Sequence, residues 1–310
     1  MAIDPRWPRA SDWLAGAHLP AARATLGVVG LPVGLGAVTP GHCELAPKAI
    51  RKRLTRLSTA DLAADLDLRE LIARDHGDAP LVTLPLAQLL EPARAAVRAA
   101  LDGSVAALVL GGHDAITRPA CRALGDDLRR IGLLTLDAHF DLRDLDGGLS
   151  TGNPVRALLA DGLPGKNVVQ LGLQSFANSL DYAAVARAAG STWRTVEQLR
   201  EHGVAASVTA ALQELAPRVD AIYVDVDLDV LDRCHVPGAP GARPGGLAPH
   251  ELFEAVVACG RDRKVRALGL VEVDPEKDVA DLSTFAAARC ALSFASGVLQ
   301  RVRARDHAMA

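Results

Sequence analysis

An α/β fold built on a mainly parallel, doubly wound sheet is the class this sequence predicts. Three observations carry it. Apolar runs of strand length alternate with longer amphipathic stretches, the pattern of strand–helix–strand units. The runs are apolar throughout rather than alternating, as strands buried on both faces require. Two of them, Ile131–Leu136 and Ala221–Val224, pass directly into clustered acids, and in open α/β sheets ligands gather beyond the carboxyl ends of the strands.

Taken in order, the chain opens on Met1-Ala2-Ile3-Asp4-Pro5-Arg6-Trp7-Pro8, which lacks the apolar core of a signal peptide. Its Pro and Trp suggest an N-terminal arm over residues 1–23, lying on the surface or against a neighbouring subunit. Residues 24–33 form the first strand, and 34–45 a Gly- and Pro-rich loop. Ala46-Pro47 starts a helix, with proline in the first turn, where a missing N–H costs little. Residues 57–83 are mixed. A helix is predicted over 91–100 and a strand over 105–110, followed at once by Gly111-Gly112-His113-Asp114, where two glycines let the backbone turn tightly beside a ligand. Residues 119–130 are predicted helical, 131–136 a strand, 144–153 a Gly-rich loop, and Pro154 opens another helix. A strand at 168–172, a helix at 204–215, a strand at 221–224, a semi-rigid Pro-Gly loop at 236–247, a helix at 251–259, a strand at 265–271 and a long helix at 284–303 complete the series. No linker or repeat interrupts it, so 1–310 reads as one domain.

The 310 residues are 49% hydrophobic with a net charge of −3, enough for a full core and without the basic clusters a nucleic-acid surface needs. No segment approaches the ~20 apolar residues expected of a membrane span. Five scattered cysteines without Cys-x-x-Cys spacing read as reduced thiols in a cytoplasmic protein.

The chemistry concentrates at strand ends. Asp137, His139 and Asp141 alternate after one strand, and Asp225, Asp227 and Asp229 after another. In an extended chain, side chains two apart point the same way, so each set would converge. Oxygen and imidazole donors without thiolate suit Mn²⁺, Fe²⁺, Ni²⁺ or Zn²⁺. The ordinary alternative is that the acids cap following turns and the histidine is packed. Against it, clustered carboxylates repel unless a cation or solvent compensates them. Bridging carboxylates of a two-metal centre hold ions about 3.5–4 Å apart and activate water. His113-Asp114 delivers a third possible metal group, and Glu272 follows the last strand.

These motifs, in this order, resemble the ureohydrolases: arginase, agmatinase and formimidoylglutamase. Asp137-Ala138-His139-Phe140-Asp141 is similar to their Asp-Ala-His-x-Asp, and Asp227-Leu228-Asp229-Val230-Leu231-Asp232 to their Asp-x-Asp-x-x-Asp. Val236-Pro237-Gly238 through Gly245-Gly246-Leu247 is similar to their Pro-Gly loop, and Glu272 to the glutamate after the last strand. The resemblance implies a three-layer αβα sandwich, two Mn²⁺ ions (Ni²⁺, Fe²⁺ or Zn²⁺ as alternatives) and a homotrimer or hexamer. It implies Asp137 and Asp227 as bridging ligands, His139 and Asp229 as ligands of one ion, and Asp141 as a ligand of the other and a proton carrier. It implies Glu272 as the grip on an amidine or guanidine cation. Asp232 more readily supports its loop than binds metal.

Two departures matter. The family's Gly-Gly-Asp-His reads Gly-Gly-His-Asp here, so either Asp114 or, by a one-residue shift, His113 is the first ligand; the downstream register favours Asp114. The histidine that arginase and agmatinase place before Gly152 is Thr151, a poor general acid. Formimidoylglutamases carry Ser-Gly-Thr-Pro in this loop and share the Asp-Ala-His-Phe-Asp-Leu-Arg run at 137–143. The resemblance therefore implies hydrolysis of N-formimidoyl-L-glutamate to glutamate and formamide, in histidine metabolism. Arg143, and less directly Asn153, would bind the substrate's far end with Thr151 nearby. The alternatives are an agmatinase or guanidino-acid hydrolase releasing urea, and a catalytically silent paralogue acting as a binding protein.

Overall fold

The computed structural model describes residue 4, residues 6–16 and residues 26–309, the last four of these by backbone only. Ten strands form: β1 (Leu26–Leu31), β2 (Ala60–Asp61), β3 (Leu66–Asp67), β4 (Ala73–Asp78), β5 (Ala106–Gly111), β6 (Ile131–Leu136), β7 (Val168–Leu173), β8 (Thr192–Thr195), β9 (Ala221–Asp227) and β10 (Val265–Val271). β2 and β3 make a small antiparallel pair. The other eight form one sheet in the order β4-β1-β5-β10-β9-β6-β7-β8, every pairing parallel. Among the described residues ten α-helices accompany them: α1 (Ala10–Leu14), α2 (Ala46–Leu54), α3 (Leu90–Leu101), α4 (Thr117–Arg122), α5 (Pro154–Ala160), α6 (Leu180–Ala189), α7 (Val196–His202), α8 (Val204–Leu215), α9 (Pro249–Arg261) and α10 (Leu282–Met309).

Because side chains alternate across a strand, the sheet feeds two cores. Ala106, Leu108 and Leu110 of β5 pack with α2, α8, α9 and α10 on one face, while Ala107 and Val109 pack with α3, α4, α5 and α6 on the other. This is the expected αβα sandwich. Among the central strands, β5 and β6 are consecutive in sequence but are separated in the sheet by β10 and β9. The chain winds outward through β6, β7 and β8, then returns to insert β9 and β10. Their carboxyl ends therefore meet in one crevice, at the reversal of strand order where α/β sheets bind ligands.

Several boundaries differ from expectation. The helix predicted over 119–130 is α4 at 117–122 followed by a 3₁₀ turn at Leu128–Arg130, because Asp127 accepts the Arg129 N–H and opens a separate turn. The mixed region 57–83 holds the edge strand β4, whose residues Arg74 to Asp78 are partly or fully exposed and carry no apolar signal. Residues 282–305 are long and apolar enough, by composition, to cross a membrane, contrary to expectation; 83% of the most apolar stretch is buried against the rest of the fold, mainly α9 and α2. Of the 1–23 arm, residues 1–3, 5 and 17–23 lie outside the described residues. The remainder includes α1, whose Trp13 is buried and donates its indole N–H to Leu71 O at 2.7 Å.

Candidate metal centre

Each central strand delivers its acids by a turn rather than by extended chain. After β6, the His139 N–H donates to Asp137 Oδ1 at 2.6 Å, which folds residues 137–139 back on themselves. Asp141 then takes a left-handed backbone (φ 51°), a conformation that costs free energy and re-aims its side chain. After β9, the Asp229 N–H donates to Asp227 Oδ1 at 2.7 Å and residues 228–230 form a 3₁₀ turn. The expectation of an extended run thus holds only from Asp225 to Asp227. After β10, Glu272 is also left-handed (φ 59°), with its N–H on Gly112 O at 3.0 Å. A Cβ on Gly112 would collide with Val33 O, so this close approach requires glycine.

The result is a buried nest of acids. Asp114, Asp137, Asp225, Asp227 and Asp229 are all under 5% exposed. Two groups of side chains place potential ligand atoms within 4.8 Å of one another: Asp137, His139 and Asp229, and Asp114, Asp137 and Asp225. Asp137 belongs to both. Asp141 lies against Asp114 and Asp137, and Asp227 against Asp229 and Asp137. His139 Nδ1 sits 2.9 Å from Asp229 Oδ2 and 3.6 Å from Asp137 Oδ1. Both oxygens of Asp114, and Asp137 Oδ2, are buried without a hydrogen-bond partner. Such groups are costly to leave unpaired.

Electrostatics follows from this crowding. Burial, reinforced by Asp137, pushes Asp114 up to about 7, and burial with the surrounding carboxylates pushes Glu272 up to about 8. Burial also raises Asp137, Asp141, Asp225 and Asp227. Burial alone would lower the His139 imidazole, but Asp229 and Asp137 outweigh it and raise it to about 10. Asp229 moves the other way: burial is offset by the His139 charge and by hydrogen bonds, and its carboxyl falls below the usual range. A nest of this kind fits divalent cations. The donors are oxygen and imidazole, several buried oxygens are orphaned, and Gly241 lies so close that a Cβ there would collide with Asp229 Oδ2.

His113 is not brought into the nest. Its ring is buried, with Nε2 2.7 Å from Leu35 O and Nδ1 accepting the Ala115 N–H at 3.3 Å, so both nitrogens are engaged away from the acids. Asn153 is likewise turned from the pocket. Its side chain accepts the Ser150 N–H and donates to Asp144 O and Gly148 O, holding the 144–150 loop closed. Asn153 thus braces this loop and does not line the pocket described below. Asp232 accepts the N–H groups of Cys234 and Gly245 and ties the Pro-Gly loop.

A pocket of about 160 Å³ opens above the acids. Asp141, Asp227, Asp229, His139 and Glu272 line its inner part. Thr151, Arg143 and Arg243 line its mouth, with Val38, Asn178 and Tyr182. Thr151 Oγ1 accepts the Val38 N–H at 3.1 Å, pinning two loops together. The Glu272 carboxylate accepts the Asp114 N–H at 2.8 Å through one oxygen, and the other faces the Cys43 thiol at 3.9 Å. Sequence reasoning missed Arg243, whose only signal is its place in the Pro-Gly loop. Its Nη1 lies 2.7 Å from His139 Nε2 and donates to Gly241 O at 2.8 Å. It also missed Asn178, which braces 138–140 from a segment with no motif.

With this geometry in view, comparisons with known proteins agree. The Arginase family model matches residues 24–296. A formimidoylglutamase of Halalkalibacterium halodurans is 34% identical over 275 residues, covering 87% of this chain and 86% of that protein. The crystal structure of formimidoylglutamase from Bacillus subtilis superposes with a TM-score of 0.89 at 28% identity, covering 96% of this chain and 94% of that one. That of Trypanosoma cruzi formiminoglutamase with Mn²⁺ shares the fold, with a TM-score of 0.85 at 24% identity, covering 95% and 99%.

Proposed function

The chain belongs to the arginase family, and on that premise we propose that it hydrolyses the C–N bond of N-formimidoyl-L-glutamate at a dinuclear metal centre, yielding glutamate and formamide. One observation carries the choice of substrate. The pocket mouth presents two guanidinium groups, Arg143 and Arg243, that have no carboxylate partner among the described residues. They would pair with the carboxylates of a glutamate tail. A substrate with a cationic tail, such as agmatine, would meet like charge.

In this reading Asp137 and Asp227 would contribute to both metal positions, His139 and Asp229 would complete one, and Asp141 and Asp114 would belong to the other. Mn²⁺ is the ion favoured by an oxygen-rich donor set. When bound, the ions supply a water of lowered pKa and positive charge to offset the acids. The remaining work falls to the chain. Glu272 accepts hydrogen bonds from the amidinium and orients its carbon toward the acids. Asp141, aimed inward by its left-handed backbone, takes a proton from the attacking water and delivers it to the leaving nitrogen as the C–N bond breaks. Thr151 holds the rim rather than shuttling protons. The same reading carries a cytoplasmic location, in keeping with five unpaired cysteines, and a homotrimer or hexamer, which rests on family membership alone.

The test is a product assay on Mn²⁺-loaded protein with formimidoylglutamate, agmatine and 4-guanidinobutyrate. Formamide and glutamate from the first substrate are expected, with little urea from the others. Urea as the dominant product would replace this reading with a guanidino hydrolase. Fewer than two ions per chain at saturating Mn²⁺ and no turnover would replace it with a silent binding protein.

A further inference from the structure

We propose that Asp225 is a further metal ligand, added to the Asp114, Asp137, Asp141 and Asp227 of the reading above, so that the inner of the two positions is an all-carboxylate site, unlike the outer, imidazole-containing one. This rests on the dinuclear reading above and deepens it.

Asp225 is 1% exposed, one strand residue pair deeper than Asp227 and on the same face of β9. That face otherwise carries Ala221 and Tyr223 into the apolar core. A carboxylate there has no structural use that an apolar side chain would not serve better, because taking it out of water is costly without a compensating partner. Its potential ligand atom lies within 4.8 Å of those of Asp114 and Asp137. The Thr117 hydroxyl donates to Oδ1 at 2.5 Å, fixing the carboxylate's orientation as hydrogen-bonded neighbours of metal ligands do. Among the described residues no donor reaches its other oxygen. Independently of Asp225, both Asp114 oxygens and Asp137 Oδ2 are buried and unpartnered, and the two carboxylates place potential ligand atoms within 4.8 Å of each other. The one imidazole that could have joined them, His113, has both nitrogens occupied elsewhere.

Carboxylate-only donors suit hard divalent cations such as Mn²⁺ or Mg²⁺, whereas imidazole suits Zn²⁺, Ni²⁺ and Fe²⁺ as well. The two positions should therefore differ in selectivity although they share Asp137 and Asp227. The inner one holds a hard ion through oxygen alone, and the outer one tolerates exchange.

The test uses the full chain, stripped and titrated with Mn²⁺, with bound metal measured by elemental analysis. Wild type is expected to take two ions. Asp225→Asn is expected to weaken one of them at least tenfold and leave the other unchanged. In a second measurement, His139→Asn loaded with one Mn²⁺ is examined by electron–nuclear double resonance, and no nitrogen coupling is expected. Two undisturbed ions in Asp225→Asn would overturn the assignment of Asp225. Nitrogen coupling in His139→Asn would show an imidazole, such as His113, in the inner site and overturn the all-oxygen assignment. Fewer than two ions in wild type would overturn the dinuclear reading itself, which separates the two failures.

Discussion

Stripping the metal should make the protein lose stability as pH rises, the reverse of ordinary acid denaturation. Asp114, Asp137, Asp141, Asp225, Asp227 and Glu272 are all held above the usual carboxylate range by burial. In the unfolded chain these groups titrate near pH 4. Below that pH they are protonated in both states and cost nothing. As pH rises from 4 through the folded values, about 7 for Asp114 and about 8 for Glu272, the unfolded chain gives up protons that the folded chain must retain or ionise at a cost. His139 acts in the same direction. Raised to about 10, it contributes stability that is full below the unfolded value near 6.5 and is lost as pH climbs toward 10. Within the nest, Asp229 alone is lowered in the fold, and it contributes stability above pH 4 that is lost on acidification. One carboxyl displaced by roughly 3 units corresponds to about 4 kcal/mol, and the coupled groups do not simply add. For a chain of this size about 2 °C of Tm follows each kcal/mol, so Tm should fall by ~8 °C or more between pH 5 and 8.5. Mn²⁺ at about a thousand times its Kd returns ~4 kcal/mol per site. The gap between metal-loaded and metal-free Tm should therefore widen with pH. Thermal melts in chelator and in Mn²⁺ across this range are the assay. A metal-free Tm that is flat or rises from pH 5 to 8.5 would refute the account of the buried acids.

Arg243→Ala and Arg143→Ala should each raise KM for formimidoylglutamate by roughly 10- to 100-fold, the loss of about 1.5–3 kcal/mol per charge-assisted hydrogen bond, with kcat changed less; steady-state kinetics on the acidic substrate and on a tail-less formamidine separates the two effects. Gly241→Ala places a Cβ against Asp229 Oδ2 and should cost at least one ion per chain at micromolar Mn²⁺, read by elemental analysis. Asn153→Ala removes the brace of the 144–150 loop and should lower stability by about 1–3 kcal/mol with metal stoichiometry unchanged, measured by denaturant melts and metal analysis together.

The parallel sheet was legible because buried strands announce themselves as unbroken apolar runs; β9 and β10 begin at the positions the sequence indicates. The edge strands β4 and β8 were not legible, since one or both of their faces meet solvent and their residues alternate or are polar throughout. The acids at 137–141 and 227–229 were readable for a local reason. Each set is delivered by one turn, and an Asp that accepts the N–H two residues on bends its own backbone. Whether His113 or Asp114 enters the site depends on Leu35 O, a carbonyl from a distant loop that captures the imidazole. Nothing within the Gly-Gly-His-Asp segment encodes that contact.

What the sequence determined by itself was the chemistry of the strand ends: which donor atoms exist, and that they follow buried strands. Tertiary structure alone decided which of them share a volume. The return of β9 and β10 between β5 and β6 brings Asp225 within reach of Asp114 and sets Arg243 beside His139. The physical reason is range. Turn formation and apolar patterning act over a few residues, whereas the cage for a cation is closed by contacts such as Thr117–Asp225 and Asp114–Glu272, 108 and 158 residues apart, between strands whose order in the sheet no local pattern records.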